Sequence, residues 1–329
     1  MPIFRNKKFA LVDCLTCAKL VPWALILWLA AASVSASAQS KIYLLGEVHD
    51  NPKIHAERFN LIESLLAKKF RPVIAMEQFD RENQAILSQA MSSCKNADCV
   101  IQKAGGKGWE WNFYKPVIET ALKLGLPIIA ANLSSADAMK IVRNGFGAAL
   151  SDETLRDFNL GKPLDSELFR KQKIAIDNGH CNILPSSAFK GMVNAQVARD
   201  VWMAKTIREN STNGLILLAG NGHVQKDIGV YRWLSDTERS RTEVIGFTEG
   251  DGETEKEAEG RLYDRTIRVK PFEREDPCIA FTGRKRTQTW NSYYSPEHFI
   301  AKLGMKKFVS NFVFLLIFFD RVLGLQTTA

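Results

Sequence analysis

The chain has 329 residues, 46% hydrophobic and 24% charged, with a formal net charge of +8. That length holds one large α/β domain or two small ones, and the composition is that of an ordinary globular protein with a sizeable core. The charge makes no nucleic-acid surface: residues 39–295 carry 36 Lys/Arg against 33 Asp/Glu, and their one basic cluster is Gly283-Arg284-Lys285-Arg286.

Residues 1–38 read as a secretion signal. Arg5, Lys7, Lys8 and Lys19 precede the apolar run VPWALILWLAAASV, and Ala36-Ser37-Ala38 forms a small-residue cleavage pattern before Gln39. The run of about 14 residues falls short of the roughly 20 that span a bilayer. An uncleaved N-terminal anchor is the alternative, and either one places the domain outside the cytoplasm. That compartment permits disulfides. Cys14 and Cys17 leave with the signal, so Cys94, Cys99, Cys181 and Cys278 remain. Cys94 and Cys99 bracket the polar turn KNAD, which a small-loop disulfide would close. Cys181 and Cys278 are expected as buried thiols.

The mature chain alternates strands and helices. IYLLG (42–46) is strand-like, and residues 52–69 show helical periodicity through Ile54, Phe59, Ile62, Leu65 and Leu66. PVIAME (72–77) is a second buried strand, followed by a helix over 80–93. The Gly- and Trp-rich stretch GGKGWEWNFY leads into a helix ending near Gly125. PIIAAN (127–132) is the third strand, and Ser134 or Ser135 caps the next helix. Residues 151–210 read as helices without strands. LILLAGNG (215–222) is the fourth strand and its loop, with a helix near 224–234, and TEVIGFT (242–248) is the fifth strand.

These strands are continuous apolar runs, the pattern of a parallel sheet covered on both faces. The expected fold is a three-layer α/β domain over 39–295, with a helical insertion at about 151–210. DGETEKEAEG (251–260) reads as an exposed loop. Residues 296–329 form a separate tail whose Phe-rich run, FVSNFVFLLIFF (308–319), lies on a membrane, packs on the domain or is a non-functional extension.

In a parallel α/β sheet, ligands bind beyond the carboxyl ends of the strands. The first strand delivers Glu47 and His49, the second Glu77, the third Asn132, and the fourth Asn221 and His223. Gly46-Glu47-Val48-His49 and Gly220-Asn221-Gly222-His223 are both G-x-x-H, with glycine expected to allow a sharp turn off the strand. His49, His223 and Glu77 would supply a His₂-carboxylate metal set. Alternatively, Glu47 or Glu77 is a general base poised by a histidine, or both histidines merely cap helices. Gln196, Arg199 and Asp200 share one helix face, from which Asp200 would orient an imidazole. Trp109, Trp111, Phe113 and Tyr114 would wall a flat ligand, with Tyr114 offering a phenolate to iron. His55 reads as a bystander facing away, and His298 stands without context.

The segments GEVHDNPKIH, AMEQF, WNFYKPVIETA, PIIAANL, GHCNILP, AQVARDVWMA and GNGHVQKDIGV occur in this order between about 41 and 248. Together they resemble the ChaN-like haem-binding lipoproteins of bacterial iron uptake. That group is related to the TraB/TIKI-type metalloproteases and the erythromycin esterases, which carry paired G-x-x-H motifs. The resemblance implies an α/β domain, extracytoplasmic placement and haem bound between two protomers. It marks Glu47, His49, Glu77, His180, Gln196, Asp200, Asn221 and His223 as site residues. The chain departs from the family in lacking a lipobox cysteine near the cleavage point and in carrying the hydrophobic tail.

Three functions follow as expectations. The first is a periplasmic haem-binding protein with haem held by His49, Tyr114 or His223. The second is a metal-dependent hydrolase with one divalent ion on His49, Glu77 and His223, Glu47 as base, and His180, Gln196, Asp200 and Asn221 in the catalytic set. The third, a structural membrane-associated protein, rests on the tail alone.

Overall fold

A computed structural model describes residues 41–250, 260–276 and 278–279. The signal, the 296–329 tail, His298, the 283–286 cluster and nearly all of the 251–260 loop lie outside them. No helix among the described residues is long and apolar enough to cross a membrane.

Six strands form one parallel sheet: β1 (Ile42–Leu45), β2 (Val73–Asp80), β3 (Ile128–Asn132), β4 (Leu215–Leu218), β5 (Thr242–Glu249) and β6 (Arg265–Val269). Their order across the sheet is β3-β2-β4-β1-β5-β6, and every neighbouring pair is parallel. Strand side chains alternate between faces, so each apolar run feeds two cores. Ile42, Leu44, Leu215, Leu217 and Val244 pack with α5 (Ser135–Asn144), α7 (Ser166–Gly179) and α8 (Phe189–Asn210) on one face. Leu45, Ile74, Met76, Ile216, Leu218, Ile245 and Phe247 pack on the other with α1 (Pro52–Ala67), α2 (Gln84–Ser93), α3 (Ala97–Ala104) and α4 (Lys115–Leu124). The three-layer α/β fold is as expected, and the insertion holds α6 (Asp152–Asp157), α7 and α8 without a strand.

Four expectations change. β6 was not legible because RTIRV carries two arginines in five residues and is only partly buried. Residues 224–234 are not one helix: α9 (Asn221–Val224) is a single turn, and a 3-10 turn follows at Val230–Trp233. A short α10 (Asp236–Ser240) then precedes β5. Cys181 and Cys278 are not free thiols but a disulfide joining residues 97 apart in sequence. Cys94 and Cys99 also pair, pinning the α2–α3 turn. Finally, the glycines of the two G-x-x-H turns serve close approach rather than unusual torsion.

Gly46 is not among the positive-φ residues, and Gly220 has φ −59°. A Cβ on Gly46 would lie 2.1 Å from Asn221 Oδ1 and 2.9 Å from a Val224 methyl. Asn221 has no freedom to move, since its Nδ2 donates to the Phe247 carbonyl (2.6 Å) and its Oδ1 accepts from the Phe247 N–H (3.3 Å). Overpacking of this kind costs roughly 1–3 kcal/mol. Gly46→Ala should therefore lower the urea midpoint measurably.

Candidate functional site

The β1–β4 ladder continues past both strands. The Ala219 N–H donates to the Leu45 carbonyl (3.2 Å) and the Asn221 N–H to that of Glu47 (3.0 Å), so the two G-x-x-H turns lie side by side. β2 flanks β4 on the other side, and its register against β3 shifts between Met76 and Asp80, which are paired with Ala130 and Asn132. Glu77 lies at this irregularity within β2, a common device beside functional sites. Its Oε2 accepts the Gly220 N–H at 2.8 Å. The strand ends thus bring Glu47, His49, Glu77, Gly220 and His223 to one edge, as the sequence led us to expect.

Glu47 is the centre of a buried network rather than a free base. Its Oε1 accepts from His49 Nδ1 (2.6 Å), the Tyr114 hydroxyl (2.5 Å) and Gln78 Nε2 (3.5 Å), and its Oε2 from Arg58. With its side chain fully buried, the carboxylate has no room to take a substrate proton. Arg58 also donates to His55 Nδ1 (3.2 Å), which leaves His55 Nε2 to donate to the His49 carbonyl (3.0 Å). His55 stacks on Phe113 with ring centroids 4.6 Å apart. Burial holds this imidazole neutral, pushing its pKa down to about 4. His55 is therefore part of the site's support, not a bystander.

Tyr114 is not an iron ligand in this arrangement. It is 1% exposed, its hydroxyl is committed to Glu47, and burial raises its pKa further from phenolate. Trp111 packs on Phe79 and bonds the Gly106 carbonyl, so most of the aromatic loop is anchor. Trp109 alone meets the imidazole of His49, edge to face at 5.1 Å.

His49 is the accessible member. Its side chain is 40% exposed, and burial of the ring holds its pKa down against the pull of Glu77. Nδ1 is taken by Glu47, and Nε2 has no hydrogen-bond partner among the described residues. A Cβ on Gly220 would sit 3.0 Å from that Nε2, so glycine keeps this face open. Gly220→Ala keeps an allowed torsion and should change stability by less than about 1 kcal/mol. The same substitution should close the face at His49 Nε2, and a ligand titration beside a melting curve separates that from any loss of stability.

His223 is the opposite case. Its Nδ1 meets Asp200 Oδ1 at 2.6 Å and its Nε2 faces Glu77 Oε1 at 3.4 Å. Burial alone would lower its pKa, but Glu77 and Asp200 push it up to about 10. Burial also raises Asp200, to about 6 against the pull of His223. For Glu77 the charge of His223 wins over burial and holds the carboxyl well below its usual range. Asp200 thus orients an imidazole, as its helix position implied. Gln196 Nε2 lies 3.3 Å from both ring nitrogens, and Arg199 donates to Asn132 at 3.0 Å.

The metal set expected on His49, Glu77 and His223 is not assembled: the two ring nitrogens of His223 face Asp200 and Glu77. Among the described residues no three His, Cys, Asp or Glu side chains are arranged to hold one. Nor does Asn221 reach the site, because its amide is spent on the Phe247 backbone. His180 caps α7 with Nδ1 on the Ile176 carbonyl (2.7 Å), and its hydrogen bond is to its own helix rather than to this cluster.

The protonated His223 gives a pH signature. Its folded pKa lies above the ordinary value near 6.5, so the stabilisation is complete below pH 6.5 and is lost as pH rises toward 10. Stability should fall by roughly 2–4 kcal/mol across that window. Urea titrations at pH 6.5 and 9.5 check this, and His223→Gln should flatten the difference.

Arg58, His55 and Gln78 were missed by sequence reasoning. A signal existed for Arg58: it lies midway between Ile54 and Ile62 at helical spacing of four, inside the apolar stripe of α1, where all three are buried.

The sequence matches the family described as haem-binding uptake, Tiki superfamily, ChaN, over residues 33–234. No curated protein matches it by sequence. Among solved structures it is similar to ChaN of Campylobacter jejuni with cofacially bound haem. The TM-score is 0.54 and the identity 23%, over 74% of this chain and 89% of that one. It is also similar to a variant of the erythromycin esterase EreC in its open conformation. There the TM-score is 0.40 and the identity 14%, over 67% and 72% of the two chains.

Proposed function

Because the chain belongs to the ChaN family of haem-binding uptake proteins in the Tiki superfamily, we propose that it is an extracytoplasmic haem-binding protein of haem and iron uptake. The observation that supports this reading beyond membership is the His49–Trp109 edge. A neutral, part-exposed imidazole with an unengaged Nε2 stands beside an indole ring. That donor set fits a flat aromatic macrocycle, which aromatic and imidazole groups contact face and edge. Bound haem would supply the iron and the porphyrin surface; the chain's own part is to present His49 and Trp109 and to keep Gly220 small. By analogy with the cofacial haems of the Campylobacter protein, two protomers would hold their haems face to face.

Titrating haemin into the purified mature protein tests the reading. A saturable, stoichiometric Soret shift, with dimerisation on size exclusion, is expected. A spectrum identical to that of free haemin overturns it. Periplasmic fractionation with and without residues 296–329 tests the location and any membrane association of the tail.

A second reading, hydrolysis, is favoured by one observation. His49 is held neutral and His223 protonated on adjacent turns, and pairs of groups driven apart in this way are the usual acid–base assignment. In this reading His49 takes a proton from water and Glu77 and Asp200 keep His223 charged, with no metal in the set. Turnover of p-nitrophenyl esters that disappears in His49→Ala would support it, and rates equal to buffer would dispose of it.

A further inference from the structure

Arg58 is deeply buried yet carries a full charge, and nothing in ligand binding calls for it directly. It is 1% exposed and reaches the ligand side only through Glu47. Tyr114 lies under its guanidinium at 5.7 Å, and His55 accepts its other donor. Such a charge is costly to bury unless an ionised partner and further hydrogen bonds offset its desolvation.

An ionised carboxylate only accepts hydrogen bonds. Arg58, the Tyr114 hydroxyl and Gln78 Nε2 all donate to Glu47, and His49 Nδ1 lies 2.6 Å from the same Oε1. His55 Nδ1, 3.9 Å from Glu47 Oε2, is itself occupied by Arg58. A neutral imidazole has one N–H, and its placement follows from the bond the ring makes. With Glu47 accepting at Nδ1, the proton sits there and the lone pair sits on Nε2, facing the gap kept open by Gly220.

We infer that Arg58 is a positioning residue: its charge, acting through Glu47, fixes His49 as the Nδ1–H tautomer and makes Nε2 the nitrogen that meets the ligand. The inference rests on His49 being the ligand-facing imidazole, a feature common to both functional readings. The tautomer itself is read in the ligand-free protein. Failure of haem binding and failure of this inference are therefore separate results.

The test is a long-range ¹H–¹⁵N spectrum of the full mature chain labelled at histidine, at pH 7.5. The signals of the five histidines are assigned by single His→Gln substitutions. In the wild type, His49 should show a protonated Nδ1 and an unprotonated Nε2. Arg58→Met should lose that pattern in favour of Nε2–H or a mixture, whereas Arg58→Lys, which keeps the charge, should retain it. If Arg58→Met does not fold, Glu47→Gln carries the same test, because its amide can donate to Nδ1 and should move the proton to Nε2. A wild-type Nε2–H tautomer overturns the inference. So does an unchanged His49 pattern in a folded Met or Gln variant, or a Lys variant that behaves as the Met variant does.

Discussion

Replacing Glu77 with alanine is expected to cost roughly 3–5 kcal/mol of stability, the range seen when one partner of a buried ion pair is removed. Glu77 has a 6% exposed side chain, and it faces His223 while its other oxygen accepts the Gly220 N–H. Without it the imidazolium keeps only Asp200, and the Gly220 amide loses its acceptor. Two responses are open to the protein. His223 can shed its proton, or the β4 turn can open to water. Both predict the same observation, a lowered urea midpoint whose deficit shrinks at pH 9.5, where the wild type has itself lost most of the stabilisation that the His223 charge confers. Glu77→Gln should cost less, because the amide oxygen still accepts from Gly220. A midpoint for Glu77→Ala within 0.5 kcal/mol of wild type would mean that the network is slack.

The parts of the site that could be read from sequence are those set by the strand-end rule. Glu47, His49, Glu77 and His223 all follow apolar runs, and parallel pairing forces such residues to one edge whatever the loops do. Asp200 could be read because α8 periodicity put it on a face with Gln196. What could not be read depends on the partner across the gap. Asn221 has the same strand-end address as His223, yet Gly46 lets it lie against β5, where it becomes scaffold. Tyr114 looks like a ligand beside glycines and tryptophans, but its hydroxyl finds Glu47. His55 looked outward because nothing on its own helix says that Phe113 stacks on its ring or that the His49 carbonyl meets its Nε2. Spacing names residue types that arrive together; only packing decides which of them keeps a free lone pair.

The Cys181–Cys278 disulfide carries the second large effect. Closing a loop of 97 residues removes much of the unfolded chain's freedom, and on the chain-entropy account it stabilises by about 4–5 kcal/mol. It also holds a segment that is otherwise tied to the sheet edge by polar contacts. Asn51 Nδ2 reaches the Lys270 carbonyl (3.4 Å), and Arg274 pairs with Glu249 (2.6 Å) and with Asp50 (2.8 Å), the neighbour of His49. These groups are partly exposed, and such pairs contribute little on their own. Cys278→Ser should therefore lower the melting temperature by roughly 8–20 °C on the scaling for a domain of 150–250 residues. The released segment should also become the first site of proteolysis, ahead of the α2–α3 turn that Cys94 and Cys99 pin. Cys99→Ser opens a loop of only five residues and should cost less. If the two single-cysteine variants melt together, loop closure is not what this bridge contributes, and the polar contacts at Asp50 and Glu249 hold the segment without it.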